Sequence, residues 1–229
     1  MKHKKENINV VSAIVENYKT FLSGAVAIYL ISHENYLWGI LSFNILSLFS
    51  YYYHYLLHTT KNIFTIIHHF HHETDNLLSF YSGMFLEIFL MEIFITLQYF
   101  FNINVINCWI VLFFILMYTS IHNYNYSILK VNNVHKLHHI DVKTNYGPDI
   151  LDVIFKTKHP SENKVENINH SIINIIVSAI VVLIIKRHIN IDSFVIISVF
   201  LFVFLFVTST SLWLDFTREN NKKWYDGII

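Results

Sequence analysis

The chain has 229 residues, of which 54% are hydrophobic and 14% charged, and its mean hydropathy is +0.42. Those values are high for a soluble domain and ordinary for a chain that crosses a bilayer several times. Basic and acidic residues balance at 16 each, which excludes a polybasic nucleic-acid surface, and the single Cys108 excludes an internal disulfide or thiolate metal site.

Residues 1–19 are polar and basic and are placed in the cytosol. Met1-Lys2-His3-Lys4-Lys5 is not followed by the compact apolar core and small-residue cleavage site of a secretory signal. The first apolar stretch, Phe21 to Ile31, is short for a span unless it begins near Val10 as one interrupted helix. A polar break, Ser32-His33-Glu34-Asn35, precedes Tyr36 to Leu57, which is long enough to cross. At its end stand His54 and His58, spaced HxxxH, among Tyr51, Tyr52, Tyr53 and Tyr55, as in an interfacial aromatic belt.

Residues 59–83 are polar and carry an HxxHH box, His68, His71 and His72. The third span is Met84 to Phe101, with Glu87, Glu92 and Gln98 inside it. Asn102-Ile103-Asn104 turns into the fourth span, Val105 to Ile121, which delivers His122. Residues 123–170 hold a second HxxHH box, His135, His138 and His139. Two hairpins thus return every box to one face of the membrane. Two further apolar runs, 172–185 and 194–214, flank Lys186-Arg187-His188. The first is short enough to be re-entrant, and the tail with Arg218, Lys222 and Lys223 returns to the cytosol. The fold expected is all-α: a single integral membrane domain over 1–229, a bundle of four to six spans with a cytosolic histidine-rich cap.

On a helix, residues three and four apart share a face, so each box aims two or three imidazoles at one point. Neutral imidazole is the commonest protein ligand for iron, copper and zinc. Three boxes in one chain point to a metal centre, and to a pair of metal ions. His69 lies one residue round the helix from His68 and is set aside. His159 and His170 read as loop or helix-end residues, and His3, His33 and His188 as surface. Two other classes fit the same histidines. A metal transporter or sensor would line a path through the spans with polar residues, and only Glu87, Glu92 and Gln98 are there. An inactive scaffold would lose a box, and none is lost.

The stretch Val134-His135-Lys136-Leu137-His138-His139, followed by Thr144-Asn145-Tyr146-Gly147-Pro148-Asp149-Ile150-Leu151-Asp152-Val153-Ile154-Phe155-Lys156-Thr157, resembles the fatty acid hydroxylase / sterol desaturase superfamily. That family carries HxxxH, HxxHH and a last HxxHH, then an Asn-Tyr-Gly segment and an aspartate–aromatic–Thr closure, all present here in that order. His122 resembles an extra histidine that the family places before the last box, and Glu87 an acidic residue after the second. The likeness covers about 40–160. Lys156 stands where the family usually has Gly, and Tyr126 where a further His is common. The resemblance implies an integral membrane oxygenase that uses O2, two iron ions and an external electron donor such as cytochrome b5 or a reductase on a fatty acyl or sterol lipid. Zinc is the alternative occupant on purification. The implied metal ligands are His54, His58, His68, His71, His72, His122, His135, His138 and His139. Glu87, Asn145, Asp149 and Asp152, with Asp75 and Asp141, are candidates for orienting the imidazoles. In a eukaryotic-type cell the resemblance implies the endoplasmic reticulum membrane.

Overall fold

The structure is a computed structural model describing residues 8–60, 63–73 and 77–203, among which there is no strand. The helices are α1 (Val10–Glu16), α2 (Tyr18–Ser32), α3 (Tyr36–Thr59), α4 (Ile63–Glu73), α5 (Leu77–Phe101), α6 (Cys108–Ser120), α7 (Val134–Ile140), α8 (Asp149–Phe155), α9 (Ile172–His188) and α10 (Ile191–Val203). A π-helical segment, Ile121–Ile128, prolongs α6. Asp75, the end of the last apolar run and the basic tail lie outside the described residues.

Helix α1 opens on a capping box formed by Asn9 and Ser12. The interrupted helix foreseen from Val10 is realised as α1 and α2, which break at Asn17. The Asn17 side chain is drawn into a distant loop, donating to the Glu166 carbonyl at 2.8 Å and accepting from the Ile168 amide at 2.8 Å. The polar break His33–Asn35 forms a 3-10 turn, and Gly39 then lets α3 close on α2. A Cβ on Gly39 would stand 2.0 Å from Ser32 Oγ. The second hairpin is tied by side chains that would otherwise be costly in an apolar bundle. Gln98 Oε1 accepts from the Ile106 amide at 2.6 Å, Ser42 Oγ from the Asn107 amide at 2.9 Å, and Asn107 Oδ1 caps α6.

Helix α6 is apolar on every side, which suits only a central position. Ile110, Val111, Phe113 and Phe114 are buried against α2, α3, α5 and α9, whose Ile31, Leu46, Ile95 and Val182 complete the core. The outward faces are apolar as well: Leu30, Leu37, Phe100, Ile173 and Val177 are all exposed. Two helical stretches, Ser79–Phe101 and Asn169–His188, are long and apolar enough to cross a membrane, and most of each lies at the surface. The second removes the length objection to a span at 172–185. The basic pair beside it has a local use, since Lys186 Nζ donates to the Ile31 carbonyl at 2.6 Å, at the C-terminal end of α2.

Helix α5 starts at Leu77, before the apolar run, so that its first turns stand inside the histidine cap. Helices α4, α7 and α8 and the π-helical segment make up the rest of the cap. Lys156 ends α8 with φ of 59°, the left-handed conformation that glycine adopts at least cost. Lys156→Gly is therefore expected to stabilise the protein by about 1 kcal/mol, raising Tm by roughly 2–4 °C in detergent.

Candidate metal centre

Helical spacing sorts the histidines into two groups, and it divides the boxes as it does so. His54 and His58 of α3, His68 and His72 of α4, and His138 of α7 form the first group. His71 of α4 joins His135 and His139 of α7 in the second. Boxes two and three thus do not each aim at one point. Each contributes an i, i+4 pair to one group and its third member to the other.

In the first group the Nε2 atoms converge. His58 lies 3.1 Å from His138 and 2.9 Å from His68, and His68 lies 3.0 Å from His72. The His54 ring sits 4.6 Å from that of His138 and 4.9 Å from that of His68. In the second group the Nε2 atoms of His135 and His139 are 2.9 Å apart. His122 stands beside them, its ring 4.4 Å from that of His135 and 5.7 Å from that of His71. Its Nδ1 pairs with Glu87, whose other oxygen accepts from Asn123 Nδ2 at 3.2 Å. The groups abut where the His72 and His139 rings stack at 4.1 Å.

Neutral imidazoles alone do not account for the first group. Each neutral ring carries one N–H. The His138 proton is on Nδ1, donated to the Thr144 carbonyl at 2.5 Å, so its Nε2 offers a lone pair. His58 Nε2 must then donate to His138, and the same atom has nothing left to share with His68. No assignment of one proton per ring makes all three Nε2 contacts two-centre hydrogen bonds. A cation among the lone pairs does satisfy them. Metal–imidazole bonds of about 2.0–2.1 Å place ligands at right angles about 2.9 Å apart, which the 2.9–3.1 Å separations match. His54 Nε2 and His71 Nε2 are likewise buried without a partner, as suits ligand atoms. The donor set fits a metal.

The groups that fix the imidazoles are mostly backbone carbonyls. His54 Nδ1 donates to Tyr146 O at 2.8 Å, His138 to Thr144 O, and His71 to Ser79 O at 3.3 Å. Gly83 passes so close to His71 that a Cβ there would stand 2.8 Å from the ring. Of the candidates for orienting imidazoles, Glu87 does meet one, His122. Asp152, Asn145 and Asp149 act one step further out. Asp152 accepts from the Tyr146 and Gly147 amides at 2.9 and 2.8 Å and from Thr157 Oγ1 at 2.7 Å. Asn145 bridges Val134 O and the His159 amide, and Asp149 pairs with Lys158. Together they shape the 144–159 loop, which presents the two carbonyls. Asp141 receives the Lys143 amide. His69 belongs to neither group, and His159 and His170 lie outside both.

A narrow, mostly apolar cleft opens beneath both groups between α3, α5 and α6. His54, His68, His71 and His122 form one end, and Leu57, Leu86, Leu90, Met91, Tyr53 and Tyr118 the walls.

Burial first, and neighbouring imidazoles second, lower the His58 pKa to about 4 and those of His71 and His138 to about 3. Desolvation likewise pulls His68 and His135 well below the ordinary value. The folded state therefore binds these protons less readily than the unfolded chain does. Stability from the neutral rings is complete above the ordinary pKa of about 6.5 and is lost as pH falls below it toward 4 and 3. From these rings alone, the Tm of the metal-free protein should change little between pH 8 and 7. Below pH 6.5 each ring then costs up to about 1.4 kcal/mol per pH unit. A thermal-melt series in detergent reads this directly.

No curated protein and no solved structure matches the chain. The sequence model of one family, Fatty acid hydroxylase, does match, over residues 39–157. That interval is just over half of the chain, begins inside α3 and ends at Thr157, and contains every histidine of both groups, so the chain belongs to the fatty acid hydroxylase family.

Proposed function

We propose that the protein is a multi-pass membrane oxidoreductase that uses O2 to hydroxylate or desaturate a fatty acyl or sterol lipid. Two iron ions would serve it, with electrons from a separate donor such as cytochrome b5 or a reductase. In this reading the family-like core and the appended apolar segments 172–185 and 194–214 form one membrane domain. The boxes face the cytosol, at the endoplasmic reticulum in a eukaryotic-type cell. The observation that carries the proposal is the meeting of two imidazole groups, one short of partners for its lone pairs, with an apolar cleft that opens onto both.

His54, His58, His68, His72 and His138 would hold one ion, and His71, His122, His135 and His139 the other. When bound, the iron pair supplies the oxidising power needed to break an unactivated C–H bond. The chain's own part is placement. The Tyr146, Thr144 and Ser79 carbonyls keep a proton on Nδ1 of His54, His138 and His71, so Nε2 stays a lone pair aimed at the centre. Glu87 plays the same part at His122 Nδ1. Leu57, Leu86, Leu90 and Met91 would exclude water and pack against an alkyl chain or ring system brought beneath the imidazoles.

The test is O2 uptake by iron-loaded protein with a reductant and either fatty acyl or sterol lipids, with products read by mass spectrometry. Lipid-dependent uptake is expected, with a product that has gained one oxygen or lost two hydrogens. Filling the cleft with Leu90→Trp should lower that turnover by about tenfold or more while metal content stays the same. Uptake indifferent to both lipid classes, with no product, would refute the oxygenase reading.

A further inference from the structure

Glu166 lies outside the residues that the family model matches, yet it is buried, 8% exposed, next to the second imidazole group. Its Oε1 accepts from Tyr126 Oη at 2.7 Å and from Asn132 Nδ2 at 2.5 Å, with His170 Nε2 at 3.9 Å. Tyr126 and Asn132 lead toward the centre. The Tyr126 ring is held nearly parallel to that of His135, 6.0 Å between centroids and 23° between planes. Asn132 Oδ1 accepts from the Val134 amide at 3.0 Å, at the first turn of α7, the helix that carries His135, His138 and His139. The Glu166 main chain is pinned in turn by Asn17, itself 2% exposed.

We propose that Glu166, acting through Tyr126 and Asn132, is a positioning residue for the second metal: it sets the His135 ring and the entry of α7. The inference rests on the two-metal reading above. A buried carboxylate is costly unless its hydrogen bonds repay the loss of water. Here the bonds go to two side chains that also contact the imidazole-bearing helix. His135 packs against both Tyr126 and His122, so removing the tyrosine hydroxyl loosens one neighbour of the ligand without touching any ligand. Tyr126 occupies the place where the family commonly carries a further histidine. In this chain that position supplies support for a ligand, with Glu166 as the anchor from the appended part of the chain.

The experiment is a chelator competition on detergent-purified full-length protein with Fe(II) as the probe, which gives a separate affinity for each of two ions. Wild type, Tyr126→Phe, Glu166→Gln and Asn17→Ala are compared, with the Tm of each metal-free form. The expected result is about a tenfold weakening of the weaker site in Tyr126→Phe and Glu166→Gln, with the tighter site unchanged. Tyr126→Phe should lower the metal-free Tm no more than Asn17→Ala does, yet shift the ratio of the two affinities further. Equal affinities in wild type, Tyr126→Phe and Glu166→Gln would overturn the inference. So would an equal loss at both sites that tracks Tm, the signature of a structural role. Wild-type protein that binds no Fe(II) would instead strike the two-metal reading itself.

Discussion

Replacing His138 with Ala is expected to abolish metal binding in the larger imidazole group, and turnover with it. His138 is fully buried, at 0% exposure, and both ring nitrogens are engaged, Nδ1 with the Thr144 carbonyl and Nε2 beside His58. The alanine removes the imidazole that links α7 to α3 and leaves a buried carbonyl unpartnered. Loss of groups that merely orient ligands costs roughly 10–100-fold in metal affinity, so loss of the ligand itself should exceed about 10²-fold. His69→Ala is the matched control. His69 shares the second box but joins neither group, so that variant should retain its metal and activity. Elemental analysis and lipid turnover on the two variants read both outcomes.

Asp152→Ala should be the most destabilising change outside the imidazoles. The side chain is 1% exposed and accepts three hydrogen bonds, two of them from backbone amides, that of Tyr146 fully buried. Stranding those donors costs about 1–3 kcal/mol each, so a loss of roughly 3–5 kcal/mol is expected, or a Tm lower by on the order of 10 °C in detergent. Asp152→Asn should fare little better, because its amide group turns a donor toward donors. The same loop carries the Tyr146 and Thr144 carbonyls, so metal affinity of the first group should fall together with stability. A variant that unfolds at the wild-type temperature would show that the loop does not depend on this carboxylate.

Much of this arrangement can be read from the residues because HxxxH and HxxHH are helical spacings, and α3, α4 and α7 are helices. The division of boxes two and three could not be read the same way. Whether His71 follows His68 or departs from it depends on where α7 crosses α4, a tertiary fact. The early start of α5 is masked in the sequence by Ser79, Tyr81, Ser82 and Gly83, which break up the apolar run that Leu77, Leu78 and Phe80 begin, and only the structure shows Ser79 O and Gly83 beside His71. The π-helical segment has no pattern of its own in the sequence. The orienting carbonyls are backbone, so no residue type announces them. What could be read was the loop that carries them, through Asn145, Tyr146, Asp149 and Asp152. Glu166 was invisible for a different reason: its partners, Tyr126 and Asn132, lie 40 and 34 residues away, and nothing local marks it.

The most direct test of the account is the metal content of detergent-purified protein by elemental analysis, beside a His138→Ala, His139→Ala double variant that removes one member from each group. About two iron ions per chain are expected after iron reconstitution, and their loss in the variant. Folded wild-type protein that takes up no iron under those conditions would contradict it.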